Sequence, residues 1–486
     1  MSGPMPQNWS MNGANHDDLV DLLGRWASGR GPLYLLLAVR LRALIDDGVL
    51  PPDEPLPPDR VLARRLAVGR GTVVAAYDLL QQEGLVVRRQ GSGTRVAALD
   101  LPATRSADGV AANPLLLHIL HPPDGVRLLT CAAPPDPPEA LFEAYAEAGA
   151  RLAGLRGLGY QPAGDPSLRE ALAAYYSGRG VPTTPDEIIV TTGAQQALTL
   201  LAGLLLAPGD TVLAETPTYP GALEVFRHAA AAIRPVTAER AGAAMRERPA
   251  LAYFVPTARN PDGAVMDVPS RRRLAALAAE HDVPLIDDEV RAELCFSGET
   301  PPPLVAYGRG EQVITVGSLS KLVWGGLRVG WIRAAAPLVA RLARLRAVHD
   351  LGGEVVSQLA AVALLRRLDE VRAARVRTFR RLHDHLRAEL RERLPSWSSE
   401  PALGGQTLWV RIPRGDVGSF AQVALRHGVA VPPGRSFDPA GGHADHMRLH
   451  FLLPEDELSR AVNDLAAAWA VYDGSDKSVS RRTLVV

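Results

Sequence analysis

Residues 312–331 read QVITVGSLSKLVWGGLRVGW. The run Gln312–Val316 has the composition of a buried strand, and the small residues Gly317 and Ser318 end it in a turn. Lys321 follows that turn, with hydroxyls at Ser318 and Ser320 and a guanidinium at Arg328. A lysine placed this way can project into a cleft. Hydroxyls and a guanidinium can hold a phosphate, and a lysine amine can form an imine with an aldehyde. Working outward, similar short runs occur at Glu187–Thr191, Thr211–Glu215, Leu251–Val255 and Val283–Asp287, separated by long Ala/Leu/Arg stretches. Strands alternating with helices predict an α/β domain on a mostly parallel sheet across residues 128–472.

Composition sharpens the reading of Lys321. The 486 residues suffice for two to four domains, and 53 basic residues balance 53 acidic ones. That balance excludes a polybasic protein but leaves room for a local basic patch. Only Lys321 and Lys477 are lysines; every other basic residue is arginine, which does not form imines. Lys477 lies in the polar stretch 473–486, which reads as a frayed tail. Two cysteines, Cys131 and Cys295, exclude a disulfide framework and a cysteine-rich zinc site, and no metal is expected. The longest apolar run, Ala197–Ala207, is too short to span a bilayer, and Met1–Asp18 show no secretory pattern. The expected location is cytoplasmic, with no membrane partner.

Residues 1–30 are mostly polar, and residues 98–127, with four prolines and no sustained period, read as a linker. Between them lies a dense helical module, residues 31–97. Leu33–Ile45 carries Leu36, Leu37, Leu41 and Ile45 on one helical face. Pro57-Pro58-Asp59 opens a second helix with Leu62, Ala63 and Leu66 inside. Ala67-Val68-Gly69 is a short turn, and Arg70–Gln82 a third helix burying Val73, Ala76, Tyr77 and Leu80. Glu83-Gly84 stops it with glycine at the expected position. Leu85–Arg88 and Thr94–Ala97 then flank a Gly-rich turn as a hairpin, or wing. Seven arginines between Arg60 and Arg95 face only Asp78 and Glu83, so this module offers a phosphate-binding face.

The stretches Gly31-Pro32-Leu33-Tyr34, Leu56–Ala63, Arg70-Gly71-Thr72-Val73, Glu83-Gly84-Leu85 and Gly91-Ser92-Gly93-Thr94 resemble a GntR-type winged helix. The resemblance implies DNA contacts by Arg60, Arg70, Thr72, Arg89 and Gly93. The sequence departs from the family's usual serines twice: Pro58-Asp59 precedes Arg60, and Gly69, which has no hydroxyl, precedes Arg70.

The larger region carries further features. Thr191-Thr192-Gly193-Ala194-Gln195 runs from a strand through glycine into a helix, a layout that offers backbone N–H groups to an anion. Tyr219 follows a strand end and can stack on a ring or simply pack. Arg259-Asn260-Pro261-Asp262-Gly263 is a turn whose Asn260 can donate to an oxygen. Asp287, Asp288 and Glu289 end a strand and can bind metal, raise one another's pKa or pair with a pyridinium. Arg448 sits in the apolar run His446–Phe451, where it needs either a structural partner or a carboxylate ligand.

In this order and spacing, residues 128–472 are similar to the fold-type I aminotransferases that use pyridoxal 5′-phosphate. That fold implies a mostly parallel large domain with an α+β small domain. The resemblance implies that Lys321 carries the internal aldimine and that Asp288 pairs with the ring nitrogen. It implies that Asn260 binds the 3′ oxygen and Tyr219 stacks on the ring. Gly193, Ala194, Gln195, Ser318, Ser320 and Arg328 would hold the phosphate, and Arg448 the α-carboxylate of a ligand. Gly159–Gly164 resembles a loop closing over the site. The family often has tyrosine two or three residues after the aspartate; here Val290 and Arg291 stand there.

A winged helix, a linker and an aminotransferase-like domain together resemble the MocR/GabR family of bacterial transcription regulators. This resemblance implies a homodimer, head-to-tail, binding operator DNA and sensing pyridoxal phosphate or an amino-acid or amine effector. A turnover enzyme with an accessory DNA-binding module is the alternative.

Overall fold

The structure is a computed structural model describing residues 31–46, 49–51, 53–89, 93–97, 125–297, 299–308 and 311–472, with Leu19, Leu23, Trp26 and Ala27. Contacts within the chain divide it into two units.

In the N-terminal unit, α1 (Leu33–Asp46), α2 (Asp59–Arg65) and α3 (Arg70–Gln82) bury the faces that the spacing predicts, except that Leu66 falls just past α2 and is only partly buried. Tyr77 on α3 is fully buried and donates its hydroxyl to the Pro57 carbonyl at 2.8 Å, tying α3 to the start of α2. Ala67 takes φ +53° in the turn between α2 and α3, and Gly84, at φ +69°, ends α3. Gly69 caps α3 without a side-chain hydrogen bond. The wing pairs β2 (Val86–Arg89) with β3 (Gly93–Val96), and β1 (Pro55–Leu56) adds a third strand on β3. Two residues are too short to show a period, so β1 was not legible in the sequence.

The second unit is built on seven strands: β5 (Ile188–Thr191), β6 (Thr211–Glu215), β7 (Ala232–Val236), β8 (Leu251–Phe254), β9 (Leu285–Asp288), β10 (Val313–Ser318) and β11 (Gly330–Arg333). Their order is β5-β11-β10-β9-β8-β6-β7, with only β11 antiparallel. Alternation along the strands sends side chains to both faces. Val212, Tyr253, Ile286 and Ile314 pack under α6 (Ala194–Leu205), α7 (Pro220–His228) and α10 (Ala336–His349). Leu213, Ala252, Leu285 and Val313 pack under α8 (Ala241–Met245) and α9 (Val268–His281). Covered on both faces, the strands are buried runs, as a parallel sheet requires.

A third core joins α4 (Glu139–Leu152), α5 (Pro166–Gly178), α11 (Val355–Arg366), α12 (Leu368–Arg393), α13 (Val417–Arg426) and α14 (Glu455–Val471). It includes the antiparallel pair β12 (Thr407–Arg411) and β14 (His446–His450), the sheet of the small domain. Arg127, read as linker, sits in β4 (Arg127–Leu128), which pairs with β13 (Val429–Ala430). Among the described residues, no helix is long and apolar enough to cross a membrane.

Candidate functional site

The carboxyl ends of β5, β6, β8, β9 and β10 meet the small domain at one cavity of about 210 Å³. In parallel sheets ligands bind at this end, because the loops there are free to vary while the strands hold them. The cavity wall contains Gly193, Ala194, Gln195, Tyr219, Asn260, Asp288, Ser318, Ser320, Lys321, Arg328 and Arg448, every residue read from the sequence as lining this site.

Lys321 leaves the end of β10 and donates from Nζ to the Ala132 carbonyl at 2.7 Å. Burial, helped by the charge of Arg291, pulls its pKa down to about 8. Part of the amine is therefore neutral near physiological pH, the form that attacks a carbonyl. Ser318 donates to the Val329 carbonyl at 3.1 Å and accepts from the Ser320 amide at 3.2 Å, fixing the turn before the lysine.

Gly193 opens α6 with φ +127°. That conformation strains any residue with a side chain, and a Cβ there would lie 3.1 Å from the Arg328 guanidinium. No side chain caps α6, and its opening residues Gly193, Ala194 and Gln195 line the cavity with Arg328, which itself sits in the left-handed region at φ +54°. A helix N-terminus and a guanidinium make an anion cradle.

The three acids at the end of β9 diverge because strand alternation separates them. Asp288 alone lines the cavity; it accepts from the Tyr253 hydroxyl at 2.5 Å and the Val290 amide at 3.1 Å. Burial raises its carboxyl despite these bonds. Asp287 accepts from the Leu304 amide at 2.7 Å, and burial followed by the Glu289 charge pushes it up to about 8. Glu289 is paired with Arg179 at 2.7 Å.

Asn260 is held by its turn: Arg259 bridges Glu215 at 2.7 Å and Asp262 at 3.0 Å. The Asp262 carboxylate thus has a structural use. Tyr219 reaches Gln195 at 3.1 Å, and its ring lies over Gly221, where a Cβ would come within 2.3 Å. Burial, then the Asp288 charge, pushes its phenol up to about 12. Arg448 on β14 is buried, donating to Asn260 Oδ1 at 3.2 Å and to the Thr130 carbonyl, with Phe437 beneath it at 5.0 Å.

Cys131, Ala132, Gly221, Val255, Val290 and Arg291 also line the cavity, and the sequence did not place them there. Cys131 and Ala132 follow a two-residue strand with no motif, and no signal marked them. Residues 159–164, read as a closing loop, do not line the cavity, and Tyr160 is exposed.

On the winged helix, Arg60 and Arg70 are exposed and Thr72 is half-buried at the start of α3. Arg70 is not free: its Nε bonds Asp59 at 2.8 Å, and this bond holds the Asp59 carboxyl below its usual range. Arg88 pairs with Asp78 at 2.5 Å and Arg95 approaches Asp53 at 3.8 Å, so acids engage part of the basic face. Gly93 opens β3 at φ +80°. The Arg89 side chain lies outside the described residues.

Residues 129–465 match the aminotransferase class I and II family, and residues 33–96 match the gntR family of bacterial regulatory proteins. The helix-turn-helix transcriptional regulator TauR of Rhodobacter capsulatus is 30% identical, over 85% of this chain and 92% of TauR. The chain belongs to the MocR-type regulators. The helix-turn-helix regulator YdcR of Escherichia coli is another relative, 30% identical over 83% of this chain and 92% of that protein. Among solved structures, the second unit is similar to LysN, an α-aminoadipate aminotransferase of Thermus thermophilus crystallised with N-(5′-phosphopyridoxyl)-L-leucine. The TM-score is 0.66 and the identity 28%, covering 73% of this chain and 94% of LysN. As a MocR-type regulator, the chain joins a DNA-binding domain of the GntR kind to an α/β domain of the fold-type I aminotransferases.

Proposed function

We propose that this regulator binds operator DNA through its winged helix and responds to an amino acid or amine through pyridoxal 5′-phosphate held in the cavity. The observation that carries this reading is the convergence in one cavity of an anion cradle, a buried carboxylate, a lone lysine and a buried arginine. The donor set fits the cofactor. Arg328, Ser318, Ser320 and the backbone at Gly193, Ala194 and Gln195 would hold the phosphate. Asp288 would pair with the ring nitrogen, Asn260 with the 3′ oxygen, Tyr219 with the ring face and Lys321 with the aldehyde. When bound, the cofactor supplies an electron sink for chemistry at an amine.

The chain's own residues do the rest. The depressed Lys321 amine is available to a carbonyl near neutral pH. Arg448, pinned between Asn260 and Thr130, orients a ligand carboxylate. Ligand binding then biases the equilibrium between two arrangements of a head-to-tail homodimer and so changes operator affinity. Exposed Phe142, Leu158, Tyr160 and Val348 provide apolar surface for a second copy. On this reading residues 31–97 contact DNA through Arg60, Arg70, Thr72, Arg89 and Gly93, residues 98–126 link, residues 127–472 sense, and the protein acts in the cytoplasm. Residues 1–30 and 473–486 are an N-terminal extension and a tail.

The test is a DNA titration with the region upstream of the protein's own gene, with and without pyridoxal phosphate and a panel of amino acids. At least one amino acid should change affinity in the wild type and not in Lys321→Ala. Unchanged affinity across the panel refutes sensing. Steady transamination without specific DNA binding would instead establish the enzyme reading.

A further inference from the structure

The cavity holds one more cation than the proposed function uses. Lys321, Arg328 and Arg448 have roles there, and Asp288 is the single carboxylate among the lining residues. Arg291 also lines the wall, 4% exposed; among the described residues its side chain hydrogen-bonds only from Nη1 to the Thr407 hydroxyl, at 3.2 Å. Arg448 is 2% exposed, bonds only to an amide oxygen and a carbonyl, and has Nε unpartnered. Among the described residues neither guanidinium forms an ion pair. Thr407 lies on β12, the strand that pairs with the β14 strand carrying Arg448. The two arginines therefore reach the same end of the cavity, one from the large-domain turn after β9 and one from the small domain. After burial, the Arg291 charge is the largest influence on Arg448. After burial, Asp288 is the largest charge influence on Arg291, but on the proposed function that carboxylate serves the ring nitrogen, and a single acid cannot balance two buried guanidinium groups, which are costly unless paired.

The balancing anions are therefore expected from the ligand. The cofactor phosphate would be served by Arg328 and α6, and the 3′ oxygen by the amide nitrogen of Asn260, whose amide oxygen accepts from Arg448. One α-carboxylate satisfies Arg448 and leaves Arg291. We propose that Arg291 recognises a second acidic group, so that the effector is a dicarboxylic amino acid. This rests on the proposed cofactor site. A planar guanidinium binds a carboxylate bidentately, and each charge-assisted bond adds geometric selectivity.

The test titrates the protein loaded with pyridoxal phosphate against L-glutamate and its neutral isostere L-glutamine, followed by the cofactor absorbance and by calorimetry. Glutamate should bind at least about tenfold tighter, the scale of one charge-assisted hydrogen bond. Arg291→Leu should remove the preference by weakening glutamate at least about tenfold more than it changes glutamine or L-alanine; Arg291→Lys should keep part of it. Equal binding of glutamate and glutamine to the wild type overturns the proposal without any variant. So does a preference that survives Arg291→Leu, or a variant that shifts only the cofactor band. If alanine binds but acidic ligands gain nothing, the cofactor reading stands and this inference alone fails. If no amino acid alters the spectrum, both fail.

Discussion

Replacing Asp59 by serine should strengthen DNA binding. Asp59 lies in the first turn of α2, holding Arg70 at the start of α3 with a 2.8 Å bond. Both side chains are partly open to water, at 26% for Asp59 and 56% for Arg70. An exposed pair of this kind contributes about 0–1 kcal/mol to stability, so Asp59→Ser should leave the fold intact. Its cost to DNA binding is larger in proportion. A carboxylate roughly 6 Å from a phosphate in a water-like dielectric opposes it by about 0.7 kcal/mol, a factor of about three in affinity. Releasing Arg70 allows it to displace a counterion, so the salt dependence should steepen by up to about one unit. Fluorescence anisotropy with a generic duplex across a series of salt concentrations reads both quantities. Arg70→Ala should move both the other way. Weaker or unchanged binding by Asp59→Ser, or an unchanged salt slope in Arg70→Ala, would refute the placement of this face against phosphate.

Three further expectations concern the second unit. Gly193→Ala forces a side chain onto a backbone at φ +127° and against Arg328; cofactor affinity, measured by equilibrium dialysis, should fall at least about tenfold while the melting temperature changes little. Arg448→Ala should retain the cofactor band but weaken amino acids about tenfold or more in a spectral titration, because a buried carboxylate loses its charged partner. His450 is buried, donating to the Leu128 carbonyl and accepting from the Leu452 amide, and burial lowers its pKa to about 4. The unfolded chain titrates near its ordinary value of about 6.5, so it binds the proton first and stability is lost as pH falls from about 6.5 toward 4. The loss reaches roughly 3 kcal/mol, and urea midpoints of His450→Gln should show a smaller fall over that window.

Much of this was legible in the sequence, for physical reasons that differ between regions. The three winged-helix elements carry faces of period 3.6, a Pro-Asp start and a glycine stop, so their limits could be read closely. Five buried strands were legible as apolar runs between turns. Strands β7 and β11 were not: β7 contains Pro235 and a half-exposed face, and β11 is four residues beginning at Gly330. Lys321 stood out because the chain otherwise uses arginine for almost every basic residue. Arg291 was read only as the loss of a tyrosine. Its reach into the cavity depends on where the turn after β9 aims, which no local pattern encodes. The Asp59–Arg70 pair joins two helices across a turn, and single-residue motifs carry no sign of such contacts.

The most direct measurement is the visible spectrum of the purified protein with pyridoxal phosphate, followed by borohydride reduction and peptide mapping. A lysine-bound cofactor gives a band that reduction bleaches, with the pyridoxyl group fixed on Lys321 and the band absent from Lys321→Ala. No band in the wild type, or a reduced group mapped to Lys477, would contradict a cofactor site at Lys321.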